Sequence, residues 1–322
     1  MQTSEVEPLA ALASARGLYY GAAVGHAFWA GDPAYRQLLT RHCNALVAEN
    51  AMKWRPIHPA PETFAFDQAD SLVAFAAEHR MRARGHCLVW HQAAPDWLAG
   101  PARSRADMLT VLQRHIHTVV GRYRGRVAEW DVVNEAVADD CSMRKTFWLE
   151  RIGEDYLDHA FRLAHEADPD ALLFYNDYGG ECGGPKADRI RELVAGLLER
   201  KVPIHGVGLQ CHFAPEHVRV EDIRKTIRSL TALGLQVAIT ELDIRLPLPV
   251  TADALTQQGQ WYRELASMFY AEKGCRSLLT WGITDRYSWV PAFFRGFGAA
   301  LPFDEQLQPK AAYEGLREAV RG

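Results

Sequence analysis

The stretch VAITELDIR, Val237–Arg245, decides the reading of this chain. Val237, Ala238, Ile239 and Thr240 are aliphatic or β-branched, and no glycine or proline interrupts them. Such a run reads as a buried strand of a parallel sheet. Glu241 and Asp243 stand where the apolar run stops. Being two apart, they point to the same side of an extended chain. A carboxylate at the end of a buried strand is costly unless it is paired or used. Taken alone, the two acids read as hydrogen-bonded strand caps. The rest of the chain repeats the design and favours use.

Working outward, apolar strand-like runs alternate with helical patterns from end to end. Strands are expected at 20–24, 45–48, 81–89, 127–133, 171–175, 206–209, 237–245 and 277–280. Helical patterns fill 34–42, 68–79, 147–167, 185–200, 220–233, 252–272 and 310–320. A further helix starts at Ser104, which with Asp107 makes a capping-box signature. In it Leu109, Leu112, Ile116, Val119 and Tyr123 recur at spacings of three and four, one apolar face. Alternation of this kind predicts a parallel sheet, and eight units predict a single (β/α)8 TIM barrel spanning 1–322. Residues 1–17 read as an N-terminal extension packed on that barrel. A doubly wound open sheet would carry a glycine-rich phosphate loop after its first strand. The turn YYGAAVGHAFW, 19–29, is a poor match.

Composition sets bounds on function. A net charge of −4 over 322 residues suggests neither nucleic acid nor a charged membrane surface as partner. No apolar run approaches a membrane span. The N-terminal MQTSEVEPLA lacks a basic region and an apolar core, so no signal peptide is visible. The location is open: secreted or periplasmic if a leader has been removed, otherwise cytoplasmic. Cys43, Cys87, Cys141, Cys182, Cys211 and Cys275 show no CxxC spacing, which argues against structural zinc. Cys141 and Cys182 fall in neighbouring loops of the barrel's active face. A bridge between them and two free thiols are both open readings.

The polar and aromatic residues collect after the strands, where barrel active sites lie. Glu135 follows the fourth strand and Glu241 the seventh, preceded by Asn134 and Thr240. Paired acids across a barrel mouth suit glycoside hydrolysis: one protonates the leaving oxygen while the other attacks or activates water. Trp90, Trp281 and Trp289 offer flat apolar surfaces for sugar rings. Asn50, Lys53, His86 and Gln210 suit hydroxyl groups. Each has a plainer reading, such as a core tryptophan, a buried histidine or a solvated lysine. Their shared position at strand ends favours the functional one.

The segments AENAMKW (48–54), RGHCLVWH (84–91), WDVVNEAVADD (130–140), FYNDY (174–178), GVGLQCH (206–212), ITELDIR (239–245), TWGITDRYSW (280–289) and LPFDEQLQPKAAY (301–313) occur in one order. In that order the chain resembles the xylanases of glycoside hydrolase family ten. The resemblance implies a retaining endo-β-1,4-xylanase with Glu135 as acid/base and Glu241 as nucleophile. It implies that His212 bonds Glu241 with Asp243 behind it, and that Asn134 holds a sugar 2-hydroxyl. Glu49, Asn50, Lys53, His86, Trp90 and Gln210 would line the glycone side. Trp281 and Trp289 would wall the subsite beside the cleaved bond, and Tyr178 would face the aglycone side. No cofactor and no metal are implied. The partners would be xylan and xylo-oligosaccharides, acted on by a monomer.

Departures from the family pattern are also visible. Gly179-Gly180 follows NDY, Arg295 stands where proline is common, and Cys211 is expected to point outward on an extended strand. Three readings compete with the xylanase. They are a retaining β-glucosidase or glucanase, a metal-dependent hydrolase using His86, His91 and His212, and a non-catalytic carbohydrate-binding barrel.

Overall fold

The computed structural model describes residues 7–100 and 103–322. Eight strands among them form one parallel sheet that closes on itself. They are β1 (Tyr19–Val24), β2 (Ala45–Ala48), β3 (Arg82–Val89), β4 (Glu129–Asn134), β5 (Leu172–Asp177), β6 (Gly206–Leu209), β7 (Gln236–Ile244) and β8 (Cys275–Thr280). Closure runs through β8, which pairs with β7 on one side and with β1 on the other, Tyr19 lying opposite Ser277. The barrel predicted from the alternation is therefore the fold, and it has no open sheet edge.

The helices around it include α1 (Leu9–Ala15), α2 (Pro33–His42), α3 (Asp67–Glu78), α4 (Arg105–Arg122), α5 (Phe147–Ile152), α6 (Tyr156–Ala167), α7 (Pro185–Glu199), α8 (Val220–Thr231), α9 (Ala252–Ala271) and α10 (Ala311–Arg321). The Ser104 cap is present, its hydroxyl accepting from the Asp107 N–H. Leu9, Leu12 and Ala13 of α1 are buried, and Arg16 donates to the Val320 carbonyl of α10 at 2.7 Å. Residues 1–6 of the expected extension lie outside the described residues.

Three readings of the pattern change. The single helix expected over 147–167 is two, because Gly153 takes φ +101° and ends the first turn set. Strands β4 and β5 run on to Asn134 and Asp177, past the point where hydropathy falls. Their polar ends keep the ladder, Asn134 opposite Asn176 and Asp177 opposite Leu209, because the barrel interior gives these side chains partners. Cys211 is not extended: it has φ +62°, is fully buried, and donates its N–H to Glu181 Oε1 at 3.0 Å. All six cysteines are unbridged, and Cys182 Sγ contacts the His217 carbonyl at 3.2 Å.

Helices α9 and α10 cross through glycines. A Cβ on Gly315 would stand 2.2 Å from the Gly259 carbonyl oxygen, and one on Gly259 would stand 2.7 Å from that of Ala311. Gly121, exposed in α4, has open space around it. Gly315→Ala should therefore cost about 1–3 kcal/mol, as overpacking against backbone does. Gly121→Ala should gain about 0.5–1 kcal/mol from helix entropy. Urea unfolding of the two variants checks this; equal effects would mean the helices part without cost.

Candidate active site

A cavity of about 840 Å³ opens at the C-terminal ends of the strands. Of the fourteen site residues expected from the sequence, all but Asp243 line it. Asp243 is fully buried behind His212, where the resemblance put it. The polar side chains fall here because every strand turns alternate residues inward, and the last inward positions face the mouth.

Glu241 and Asp243 share one imidazole. His212 Nε2 lies 3.1 Å from Glu241 Oε2, and Nδ1 lies 2.8 Å from Asp243 Oδ2. Burial opposes a charged His212. The Asp243 carboxylate and then Glu241 outweigh it and push the ring up to about 10. The group between the two acids is therefore an imidazolium at neutral pH, and it donates to both. Burial likewise pushes Glu241 up, but the His212 hydrogen bond and the histidine charges nearby leave it below the usual carboxylate range. Its other oxygen, Oε1, accepts from Asn176 Nδ2 at 2.7 Å.

Glu135 has different company. It stands just past β4 with φ +58° and is 8% exposed. Trp90 Nε1 donates to its Oε2 at 2.8 Å, while Gln210 Nε2 and Asn134 Nδ2 donate to Oε1 at 3.0 and 3.2 Å. The two carboxylates are joined through amides, since Asn176 Nδ2 also reaches Asn134 Oδ1 at 2.8 Å. Arg144 reaches back to fix the Glu135 backbone, donating from Nε to its carbonyl at 2.8 Å.

On one side of the pair, Lys53 donates to Asn50 Oδ1 at 2.8 Å, and Asn50 donates to Glu49 Oε1 at 3.0 Å. The Lys53 ammonium sits 4.9 Å from the Trp90 ring centroid and 5.7 Å from that of Trp281. Burial raises Glu49 while Lys53 pulls it back. Trp289 packs its ring 4.9 Å from that of His212 and donates Nε1–H to Asp243 Oδ2 at 2.8 Å. On the other side, Tyr178 takes a hydrogen bond from Arg144 at 3.1 Å, and the Lys186 ammonium lies 3.7 Å over its ring.

Several functional neighbours were not singled out from the sequence. Asn176 bonds Glu241, Asn134 and, through Oδ1, Thr240 Oγ1 at 2.7 Å. Asp131 accepts from His86 Nδ1 at 3.0 Å and from Arg84. A charged residue in mid-strand, Asp131 in WDVVN, was the available signal. Arg144 comes from a loop with no pattern. Arg295 is exposed and does not line the cavity. Among the described residues no group of three or more His, Cys, Asp or Glu side chains is arranged to hold a metal ion. No helix there is long and apolar enough to cross a membrane.

Residues 8–319 match the family described as glycosyl hydrolase family 10. The chain belongs to this family. It is accordingly a glycoside hydrolase, and its barrel is the family's. It is 40% identical to endo-1,4-beta-xylanase B of Thermotoga neapolitana, over 98% of this chain and 92% of that protein. Its structure resembles that of xylanase 10B from Thermotoga petrophila RKU-1, solved in complex with xylobiose, with a TM-score of 0.96. That match has 38% identity and covers 99% of this chain and 98% of the other. A protein named exoglucanase XynX of Acetivibrio thermocellus is 39% identical over 89% of this chain, which spans 27% of that longer protein.

The charge on His212 is open to direct test. Nitrogen NMR should show both ring nitrogens protonated at pH 8; a neutral ring would overturn the assignment. The sign of the linkage follows. His212 is raised above its ordinary 6.5, so its stabilisation is complete below about pH 6.5 and is lost as pH rises through about 10. Relative to His212→Asn, the urea midpoint of the wild type should fall across that window.

Proposed function

We propose that this chain is a retaining endo-β-1,4-xylanase. Glu241 attacks the anomeric carbon while Glu135 protonates the leaving glycosidic oxygen. Water assisted by Glu135 then releases the sugar from the Glu241 ester. One observation carries the division of roles: Glu241 bonds an imidazole whose other nitrogen is held by Asp243, and Glu135 receives only amide and indole donors. A nucleophile has to be ionised, and a cationic donor keeps it so. Among the described residues Glu135 carries no cationic donor on either oxygen, so the acid/base role falls to it. Once the ester has formed, Glu135 has passed its proton to the leaving oxygen, and as a carboxylate it takes a proton from the attacking water. The names of the relatives give the substrate class, xylan and its oligosaccharides. Trp281 and Trp289 wall the subsite beside the cleaved bond, with Glu49, Asn50, Lys53, His86, Trp90 and Gln210 on the glycone side and Tyr178 on the aglycone side. Asn134 holds the 2-hydroxyl. The chain acts as a monomeric single-domain barrel with residues 7–17 packed on it.

The stereochemistry tests the mechanism. Proton NMR of the first product formed should show the β-anomer; an initial α-anomer would remove Glu241 from the nucleophile role. Glu241→Gln should abolish turnover of every substrate. Glu135→Gln should cost roughly 10²–10⁴-fold on xylan. It should largely spare the first step of aryl xylobiosides with good leaving groups, which need little acid assistance.

The relative named as an exoglucanase makes glucan the reading to exclude. Xylose lacks the C5 hydroxymethyl of glucose, and we assign its rejection to Trp289. The ring is clamped by Asp243 and His212, so it cannot swing away from a bulkier sugar. Trp289→Ala should narrow the ratio of kcat/KM between aryl β-xylobioside and aryl β-cellobioside by roughly tenfold to 200-fold, the range of a steric term of about 1–3 kcal/mol. Equal loss on both substrates would place the discrimination elsewhere.

A further inference from the structure

The cleft contains one arginine with nothing to bind. Lys53 is committed to Asn50. Arg144 is committed to Glu135, Val137 and Tyr178. Arg219 reaches the Cys182 carbonyl at 3.2 Å and lies 3.7 Å from Asp222. Arg245 also lines the cavity, yet among the described residues its side chain has no hydrogen bond and no ion pair. Its Nε is enclosed without a partner. The guanidinium stands over the Phe294 ring, 4.0 Å from the centroid, and 5.7 Å from that of Phe297. Desolvating part of a guanidinium without a partner is unfavourable. Stacking one of its faces leaves its terminal Nη groups to meet a carboxylate.

Its height in the barrel matters. Arg245 is the fourth residue after Glu241 and on the same side as Glu241 and Asp243. At ~3.3 Å per residue it emerges about 13 Å further along the chain. It therefore lies above the reacting bond, on the wall. Phe294, under the guanidinium, meets Phe293, which also lines the cavity, is 70% exposed and has its ring 5.0 Å from those of both Trp289 and Phe294. This rim offers a flat apolar surface next to a free guanidinium.

We propose that Arg245 and Phe293 form a receptor for a uronic-acid substituent carried on the xylan chain. The inference rests on the xylanase reading of the cleft. A xylan backbone and its arabinose branches are neutral, so a uronate is the decoration whose carboxylate matches the fork of Arg245. Phe293 takes the apolar face of the same sugar. A linear substrate presents no carboxylate there, and its cleavage makes no use of Arg245.

The test compares a linear xylo-oligosaccharide with the same oligosaccharide bearing one glucuronate. Calorimetric binding is measured in a Glu241→Gln background, so that nothing is consumed, and kcat/KM is measured in the active enzyme. Arg245→Met, which keeps an apolar stem against Phe294, should weaken the acidic ligand at least about tenfold, the loss expected for a charged hydrogen bond. It should leave the linear one within about twofold. Arg245→Lys should fall between, and the wild-type preference for the acidic ligand should shrink as salt rises. Equal losses on both ligands, or none on either, would overturn the uronate site. Binding of the acidic ligand that depends on Arg245, without turnover of either oligosaccharide by the active enzyme, would instead sink the xylanase reading and leave the receptor standing.

Discussion

Two carboxylates on one face of one strand, both out of water, are the constraint around which the site is built. Glu241 is 4% exposed and Asp243 not at all. Like charges two residues apart would drive each other toward the neutral form. The His212 imidazolium removes that conflict by donating to both. Its placement is a backbone matter. The β6 ladder stops at Leu209, the chain bends through a left-handed Cys211, and His212–Phe213 then resumes pairing beside Asp243–Ile244. A non-glycine residue in that conformation costs roughly 1–2 kcal/mol. The hydrogen bond from the Cys211 N–H to buried Glu181 offsets part of it. Trp289 hangs on the same assembly through Asp243, so one wall of the cleft and the candidate nucleophile share an anchor.

The two glutamates of the cleft are held by different sets of donors. Glu241 sits inside the barrel on β7, with a cation on one oxygen and Asn176 on the other. Glu135 lies beyond the end of β4, held by an indole and two amides. The Asn134–Asn176 pair connects them, because those residues are register partners on adjacent strands. Any change of charge on one carboxylate is thus felt by the other through two polarisable amides as well as through space.

How much of this was legible follows from which signal each feature leaves. The strands left continuous apolar runs, and the loops after them left carboxylates and tryptophans in a family order, so fold and lining residues were readable. Glu241 and Asp243 were readable together because i, i+2 spacing survives in sequence, whereas His212 joined them only through the family resemblance. The polar strand ends at Asn176 and Asp177 were cut short, since hydropathy cannot tell a residue facing a polar barrel interior from one in a loop. The break at Gly153 was missed because a lone glycine inside an apolar period reads as tolerated. Cys211 was misjudged for a related reason: strand alternation holds only while the chain is extended, and φ +62° ends it. Arg144 reaches back nine positions to the Glu135 carbonyl, a contact that no period encodes.

The barrel floor bears on the chemistry at its mouth in a way that neither alone reveals. Arg84 is nearly unexposed and reaches Glu129 and Asp131 at 2.5 Å each, while Arg82 meets Glu129 at 2.7 Å. A cluster of this kind contributes little net stability, since desolvation offsets the attraction. Its effect is on hydrogen-bond polarity. Burial raises Asp131, but Arg84 and His86 outweigh it and leave the carboxyl below its ordinary range, hence ionised. An ionised carboxylate only accepts, so the proton of the neighbouring imidazole sits on His86 Nδ1. That bond holds the His86 ring in place at the cavity wall. The charges packed beneath the active face thereby fix the orientation of a cavity-lining imidazole, even though none of Arg82, Arg84 and Glu129 lines the cleft.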